Sequence, residues 1–237
     1  MRIFRSEYVQ DYPAYAFGYT VHAELEADDA PGRAYEAGFL PASSDPALRN
    51  RFYMARSVRV PLDRFVPSSE NRRVLKKFDG EFAVEILDRE TLAHDAAFVP
   101  CFLSYFADRH GQGVMSAERL DGILETTLPL RAVRYRKEGS SVAYVLEVAD
   151  GAFTHYWYCC YSSAYAKTSL GMWLMLDGVR RAKDEGRSFL YLGTAYGEKG
   201  RYKMNIAPLS FWDGTDWQED EKRLKALIAT DSERALA

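Results

Sequence analysis

The chain has 237 residues, 47% hydrophobic and 27% charged, with a formal net charge of −3. That is ordinary globular composition, long enough for one large domain or two small lobes with real cores, and it excludes a uniformly basic nucleic-acid binder. The N-terminal MRIFRSEYVQDYP has no uninterrupted apolar segment, no run approaches transmembrane length, and three cysteines make neither a disulfide framework nor a CxxC pair. The simplest expectation is a reduced, soluble, cytoplasmic protein that engages no membrane.

In chain order, residues 8–23 mix aromatics with alternation and predict strand and turn pieces. Asp28 to Asp45, with Pro31, Gly32, Gly38, Pro41, Ser43 and Ser44, predicts loop with one short helical stretch. Phe52 to Val60 predicts a strand with Val58 and Val60 on one face. Pro67-Ser68-Ser69 sets up a helix that NRRVLKKF continues with Val74 and Leu75 inward, and Phe82 to Leu87 predicts the next strand. Helical patterns run from Thr91 to Arg109 and from Ser116 to Leu124, where Ser116 fits an N-cap. Val142 to Val148 and Phe153 to Cys160 form a hairpin signal around Ala149-Asp150-Gly151. A helix over 169–185 puts Met172, Met175, Leu176, Val179 and Ala182 on one face, and Gly186 ends it. Ser188 to Leu192 predicts a central strand, and Glu219 to Ala229 a last amphipathic helix. Strand, strand, helix, strand suits a mixed sheet with the helix on one face. The expected class is α/β, with strand and helix alternations in both halves suggesting two similar lobes, 1–110 and 111–237.

Charge is unevenly spread. Residues 51–77 hold Arg51, Arg56, Arg59, Arg64, Arg72, Arg73, Lys76 and Lys77 against only Asp63 and Glu70. A basic patch on an acidic body favours a local polyanion contact, although charge alone fits a solvated face equally well. Ser169-Leu170-Gly171 opening a helix, followed by a strand that ends in Gly193, is how α/β proteins present backbone N–H groups to an anionic group. Neither GxxxxGK[ST] nor GxGxxG is present, and Ser169 fits an N-cap better than a nucleophile. His22, His94, His110 and His155 sit in unrelated contexts. His155 reads as an ordinary half-exposed strand residue, and His110 as a cation favoured at a helix end. No GxSxG elbow supports a triad, and no His or Cys pair has ligand spacing near a third, so neither metal nor cofactor is expected. Beyond the strand, Tyr202 can stack on a base or donate a hydrogen bond, and Lys199, Arg201 and Lys203 can hold phosphate or carboxylate. Glu198, Asp150 and Asp177 are candidate bases by position only.

FYMARSVRVPLDRFVPSSENRRVLKKF (52–78) resembles the stretch of arginyl- and leucyl-tRNA–protein transferases that reads roughly CxACxPxRVxxxxFxPxxxQRRxxKR. Tyr105 with ADRHGQGVM (107–115), Tyr161, SLG at 169–171, Ala182-Lys183, Gly186, LYLG at 190–193, Tyr202-Lys203 and Pro208 follow the same family in the same order. The resemblance implies a GNAT-like mixed sheet flanked by helices. It implies transfer of an amino acid from aminoacyl-tRNA to an amine acceptor, commonly a protein or peptide N-terminus beginning with Asp or Glu. Carried over, it makes Ser169, Leu170, Gly171, Tyr202 and Lys203 the catalytic set, and Tyr161, Tyr191, Gly193, Tyr196, Glu198 and Arg201 the substrate contacts. Arg59, Arg72, Arg73, Lys76, Lys77, Arg109 and His110 would contact tRNA. The family's paired cysteines align with Phe52 and Ala55, so its usual metal or iron–sulfur site cannot form. Thr194-Ala195-Tyr196-Gly197 and Glu198-Lys199-Gly200-Arg201 also depart from the family pattern, beside the expected acceptor or aminoacyl pocket. Two alternatives remain at this level. One is a GNAT-type N-acyltransferase using acyl-CoA, whose Q/RxxGxG/A turn is missing; the other is an inactive tRNA- or protein-binding homologue.

Overall fold

The computed structural model describes residues 1–13, 15–43 and 50–234; Ser44 and Asp45, the end of the expected loop, lie outside them. The chain opens with a hairpin, β1 (Arg2–Asp11) and β2 (Ala16–Glu24), then α1 (Gly32–Glu36), β3 (Phe39–Pro41) and β4 (Arg51–Met54). These strands form a four-stranded sheet in the order β1-β2-β4-β3. The main sheet comprises β5 (Ser57–Pro61), β6 (Ala83–Leu87), β7 (Leu130–Lys137), β8 (Ser140–Asp150), β9 (Phe153–Tyr161), β10 (Phe189–Thr194), β11 (Ser210–Trp212) and β12 (Trp217–Gln218). Its order is β12-β11-β5-β10-β9-β8-β7-β6, with β9 and β10 parallel at the centre. The helices are α2 (Ser69–Phe78), α3 (Arg89–Ala93), α4 (Phe98–His110), α5 (Ala117–Leu124), α6 (Leu170–Asp184), α7 (Gly197–Arg201) and α8 (Glu221–Arg234). The expected mixed α/β sheet flanked by helices is what the chain forms.

Three expectations change in detail. The run from Phe52 to Val60 is two strands in different sheets, because the chain crosses at Ala55-Arg56: β4 pairs with β2 and β3, while β5 pairs with β10 and β11. The Thr91–Arg109 pattern is two helices. Asp95 separates them by accepting the Ala97 N–H at 3.0 Å, and Pro100, which lacks an N–H, sits in the first turn of α4. The last helix runs on past Ala229 to Arg234. As for the lobes, β5 and β6 precede residue 110 yet belong to the main sheet, and α4 and α5, on either side of that boundary, share one apolar cluster.

Helices α2, α6 and α8 cover one face of the main sheet, where Leu174, Met175, Val179 and Leu224 pack on Val58, Val145, Leu190 and Leu192. On the other face α4 and α5 pack Phe102, Leu120 and Ile123 against Tyr144 and Leu146. Next to them α1 and the small sheet bring Tyr35, Phe39 and Phe52 against Val148, Phe153 and Tyr191.

The central pair does not stay together. β10 pairs with β9 only over Phe189–Tyr191 against Phe153–His155. Beyond that, β9 carries a bulge at Trp157, since Leu146 faces Tyr158 while Glu147 faces Tyr156. A bulge bends its strand. β9 then follows β8 to Tyr161 while β10 stays with β5, and the sheet opens between them.

Helix α6 is tied above this opening by buried charges. Glu147, fully buried on β8, accepts two bonds from Arg181 at 2.6 and 3.0 Å and one from Arg131 at 3.0 Å. Asp177 accepts from Arg181 at 2.8 Å and from the Tyr135 hydroxyl at 2.7 Å. Removing one member strands the others' charge in the core. Glu147→Leu is therefore expected to lower the unfolding free energy by about 3–5 kcal/mol, measured by urea denaturation.

Candidate active site

The first wall of the opening is built around Tyr161, the last residue of β9. Its hydroxyl accepts from Arg109 Nη2 at 3.0 Å, and its ring lies 4.7 Å from that of Tyr105. A Cβ on Gly171 would stand 3.2 Å from the Tyr161 hydroxyl, so glycine lets the phenol reach the first turn of α6. Ser169 occupies the expected N-cap position with a left-handed backbone, φ 71°, and its side chain makes no capping bond. For a residue with a Cβ that conformation stores on the order of 1–3 kcal/mol. The turn is held from outside: Thr168 Oγ1 donates to Tyr165 O at 2.8 Å, and Lys77 Nζ from α2 donates to Thr168 O at 2.8 Å. Leu170 is buried beneath it.

The second wall comes from the end of β10. Gly193 has φ 78°, and a Cβ there would lie 3.5 Å from Lys203 Nζ. Lys203 Nζ donates to Thr194 O at 2.6 Å, and burial pulls its ammonium down to about 8. Tyr202 is 46% exposed, and partial burial raises its hydroxyl to about 12. Two histidine expectations are corrected at this site. His155 is 2% exposed rather than half-exposed, because Tyr35 of α1 covers it, with Tyr35 Oη 3.0 Å from His155 Nδ1. Burial first, and then the Lys203 charge, push its pKa down to about 3, so the ring is neutral. His110 does end α4, but burial, Lys199 and Arg109 all lower its pKa, against the expected cation.

The remaining sequence candidates lie elsewhere. Tyr191 faces the opposite side of the sheet, 5.0 Å from Tyr35 and 5.7 Å from Trp217. It accepts from Arg59 Nη1 at 3.2 Å, and the Arg59 guanidinium is sandwiched 3.9 Å from the Phe189 and Trp217 rings. Tyr196 accepts the Arg56 N–H at 2.8 Å under the Arg56 guanidinium, which pairs with Asp231. Glu198 and Arg201 pair with each other at 3.3 Å on exposed α7. Arg72, Arg73, Lys76 and Lys77 line the outer face of α2, with Val74 and Phe78 inward; Arg72 donates to Pro67 O and Arg73 pairs with Glu70. Asp150 sits in the β8–β9 turn and Asp177 in the buried ionic network, both away from the opening. Phe52 and Ala55, where the family carries cysteines, are buried among apolar side chains and offer no ligand atom. A cavity of about 100 Å³ lies beside Tyr161, lined among others by Cys101, Tyr105, Arg109 and Ala166. Sequence reasoning missed Tyr35, whose partner is 120 residues away, and Asp108 on the cavity wall; only the position of Asp108 beside Arg109-His110 hinted at it.

A family model described as an acetyltransferase (GNAT) domain matches residues 69–204. An aspartate/glutamate leucyltransferase of Chromobacterium violaceum is 30% identical over 169 residues, covering 68% of this chain and 67% of that protein. The chain belongs to this leucyltransferase family. The corresponding protein of Chromohalobacter salexigens is 28% identical over 174 residues, again covering 68% of this chain and 67% of that protein. FemX shares the fold, with a TM-score of 0.52 at 12% identity, covering 73% of this chain and 63% of that one. The protein is thus a GNAT-type transferase, and the matched span from α2 to Met204 contains both walls of the opening while leaving β1–β4 outside. No helix among the described residues is long and apolar enough to cross a membrane.

The buried imidazole has a measurable signature. Between pH 6.5 and about 3 the unfolded chain holds a proton on His155 that the folded chain refuses, so stability falls as pH falls through that window. The slope is at most about 1.4 kcal/mol per pH unit. His155→Gln is expected to flatten it, as read from urea unfolding at pH 6.5, 5.5 and 4.5.

Proposed function

We propose that this protein transfers an amino acid from charged tRNA to the N-terminal amine of a protein that begins with Asp or Glu. The observation that carries the reading is the contact of the basic helix α2 with the SLG turn, through Lys77 on Thr168 O. Arg72, Arg73 and Lys76 continue that charge outward, and Arg109 on the Tyr161 hydroxyl and Lys199 near His110 add to it. A track of cations leading into a split sheet suits an acceptor arm whose 3′ end must enter the protein. An acidic first residue of the acceptor would find Arg109 and Lys199 at the same mouth. A tRNA substrate places the protein in the cytoplasm.

The chemistry is ester aminolysis and needs no nucleophilic side chain. The neutral acceptor amine forms a bond to the ester carbonyl carbon, negative charge gathers on the carbonyl oxygen, and the bond to the ribose oxygen breaks. First-turn N–H groups of α6 lack intrahelical partners and suit the oxyanion. Lys203, with its ammonium near 8, is the proton carrier: it protonates the departing ribose oxygen and recovers a proton from the attacking nitrogen. Tyr202 and Tyr161 flank the reacting centre.

Incubation with labelled aminoacyl-tRNAs and peptides that differ in their first residue tests the reading. Transfer to Asp- and Glu-peptides is expected, and transfer from no charged tRNA would overturn it. Lys203→Gln is expected to lower kcat about 10²–10⁴-fold and to abolish an alkaline decline in kcat/KM centred near pH 8, where the ammonium is lost. Arg72→Ala with Arg73→Ala is expected to leave the melting temperature unchanged, and to reduce the dependence of log affinity for tRNA on log salt by about 1–2. The GNAT domain match favours one other reading, transfer from acyl-CoA; a large rise in melting temperature with acetyl-CoA would select it.

A further inference from the structure

Among the described residues the two sheets end on the strands β3, β1, β12 and β6, and only one of these edges is long and bare. β3 has three residues and ends in Pro41, which lacks an N–H. β12 has two residues, and β6 has five with Glu85 at its centre. A second β6 paired antiparallel about that centre would set Glu85 against Glu85, a repulsive arrangement. β1 is ten residues long, pairs only with β2, and is exposed at every residue except Phe4. An open edge of that length is a template for another strand.

The same hairpin carries an unusual share of apolar surface. Among the described residues, more than half of the exposed large hydrophobic side chains lie between Ile3 and Tyr19. At the tip Tyr12 packs on Tyr15 and Phe17, with ring centroids 6.0 and 5.9 Å apart, so the rings hold one another in place. A patch of this kind marks an interaction surface. Nucleic acid is a poor fit to it, because Arg2 and Arg5 are matched by Glu7, Asp11 and Glu24.

Charge names the occupant. Arg5 and Glu7 are exposed, share one face of β1, and form no ion pair among the described residues. They flank Ser6, whose hydroxyl lies 3.0 Å from His22 Nε2 on the other face. A twofold axis through Ser6, perpendicular to the sheet, lays a second β1 antiparallel along the first. Arg5 of each copy then stands directly opposite Glu7 of the other, twice by symmetry. The bulge at Tyr8 fits the same register. With Glu7 and Tyr8 counted as one position, as they are against β2, Phe4 lies beside Val9 and Arg2 beside Asp11. No like charges meet anywhere along the ladder.

We propose that β1 is a dimerisation edge, pairing antiparallel with β1 of a second copy of this chain about Ser6 and joining the two small sheets into one. The surface is independent of the transfer reaction, and it lies outside the span that matches the GNAT family model.

Sedimentation velocity of the full chain, at concentrations up to about 300 μM, is expected to show a monomer–dimer equilibrium of the weak class. Arg5→Glu sets acid against acid and Glu7→Arg sets base against base, so each variant alone should dissociate about tenfold more readily or worse. An equimolar mixture of the two is expected to regain dimer, because opposite charges meet again at both crossings. The double variant, Arg5→Glu with Glu7→Arg, should dimerise like the wild type. Both side chains are exposed and unpartnered, so melting curves should not move. A wild-type chain that stays monomeric throughout overturns the proposal and leaves this edge to a different partner. Dimer that persists in both single variants overturns it as well, as does dimer that neither the mixture nor the double variant restores.

Discussion

The candidate site is built on the parting of two parallel strands. β9 and β10 share a ladder of three residues and then separate, leaving backbone and side chains at the centre of a sheet without a neighbouring strand. An interior gap of that kind would be costly in a purely structural sheet, since buried peptide groups need partners. Here it is set on both sides by sequence-specific devices. The bulge at Trp157 swings β9 away, and Gly193 turns β10 with a left-handed backbone, φ 78°, that costs glycine least. Lys203 Nζ then satisfies the Thr194 carbonyl at the edge of the gap.

Burial gives the gap its electrostatic character. A lysine and a histidine sit on successive layers, and desolvation lowers both, the histidine further because the lysine charge lies above it. The imidazole is a neutral floor held by Tyr35, while the ammonium remains within reach of ordinary pH. The two roles diverge through depth alone. The cations of α2, α4 and α7 are cheap to maintain because most of them stay in water.

Much of this was legible in the chain, for identifiable reasons. The SLG turn, the α6 stripe and the buried β10 run are local patterns with strong periods, and each sits within about two residues of its expected place. Ser116 caps its helix as its spacing indicated, accepting from Arg119, and within the expected Pro67-Ser68-Ser69 helix start it is Ser68 that accepts from Asn71. Where local reading failed, a distant contact overrode it. The Phe52–Val60 run has one continuous strand signal, yet its halves belong to two sheets, with Ala55 N–H on Gly38 O at one side of the crossing and Arg56 engaged with Ala195 and Asp231 at the other. His155 alternates like a half-exposed residue and is sealed by a helix 120 residues earlier. Arg59, one of a run of cations, is held between two rings supplied by β10 and β12.

By itself the sequence determined the class of fold, the helix that opens at Ser169, the order of the elements and the family whose motifs it carries. These follow from hydrophobic period, capping residues and motif spacing, which act over a few residues. Only the tertiary structure decided which charges reach the split in the sheet, which are consumed in the core, and where a cavity remains. Those outcomes depend on burial and on partners brought together across more than a hundred residues, and burial is a property of the packed chain.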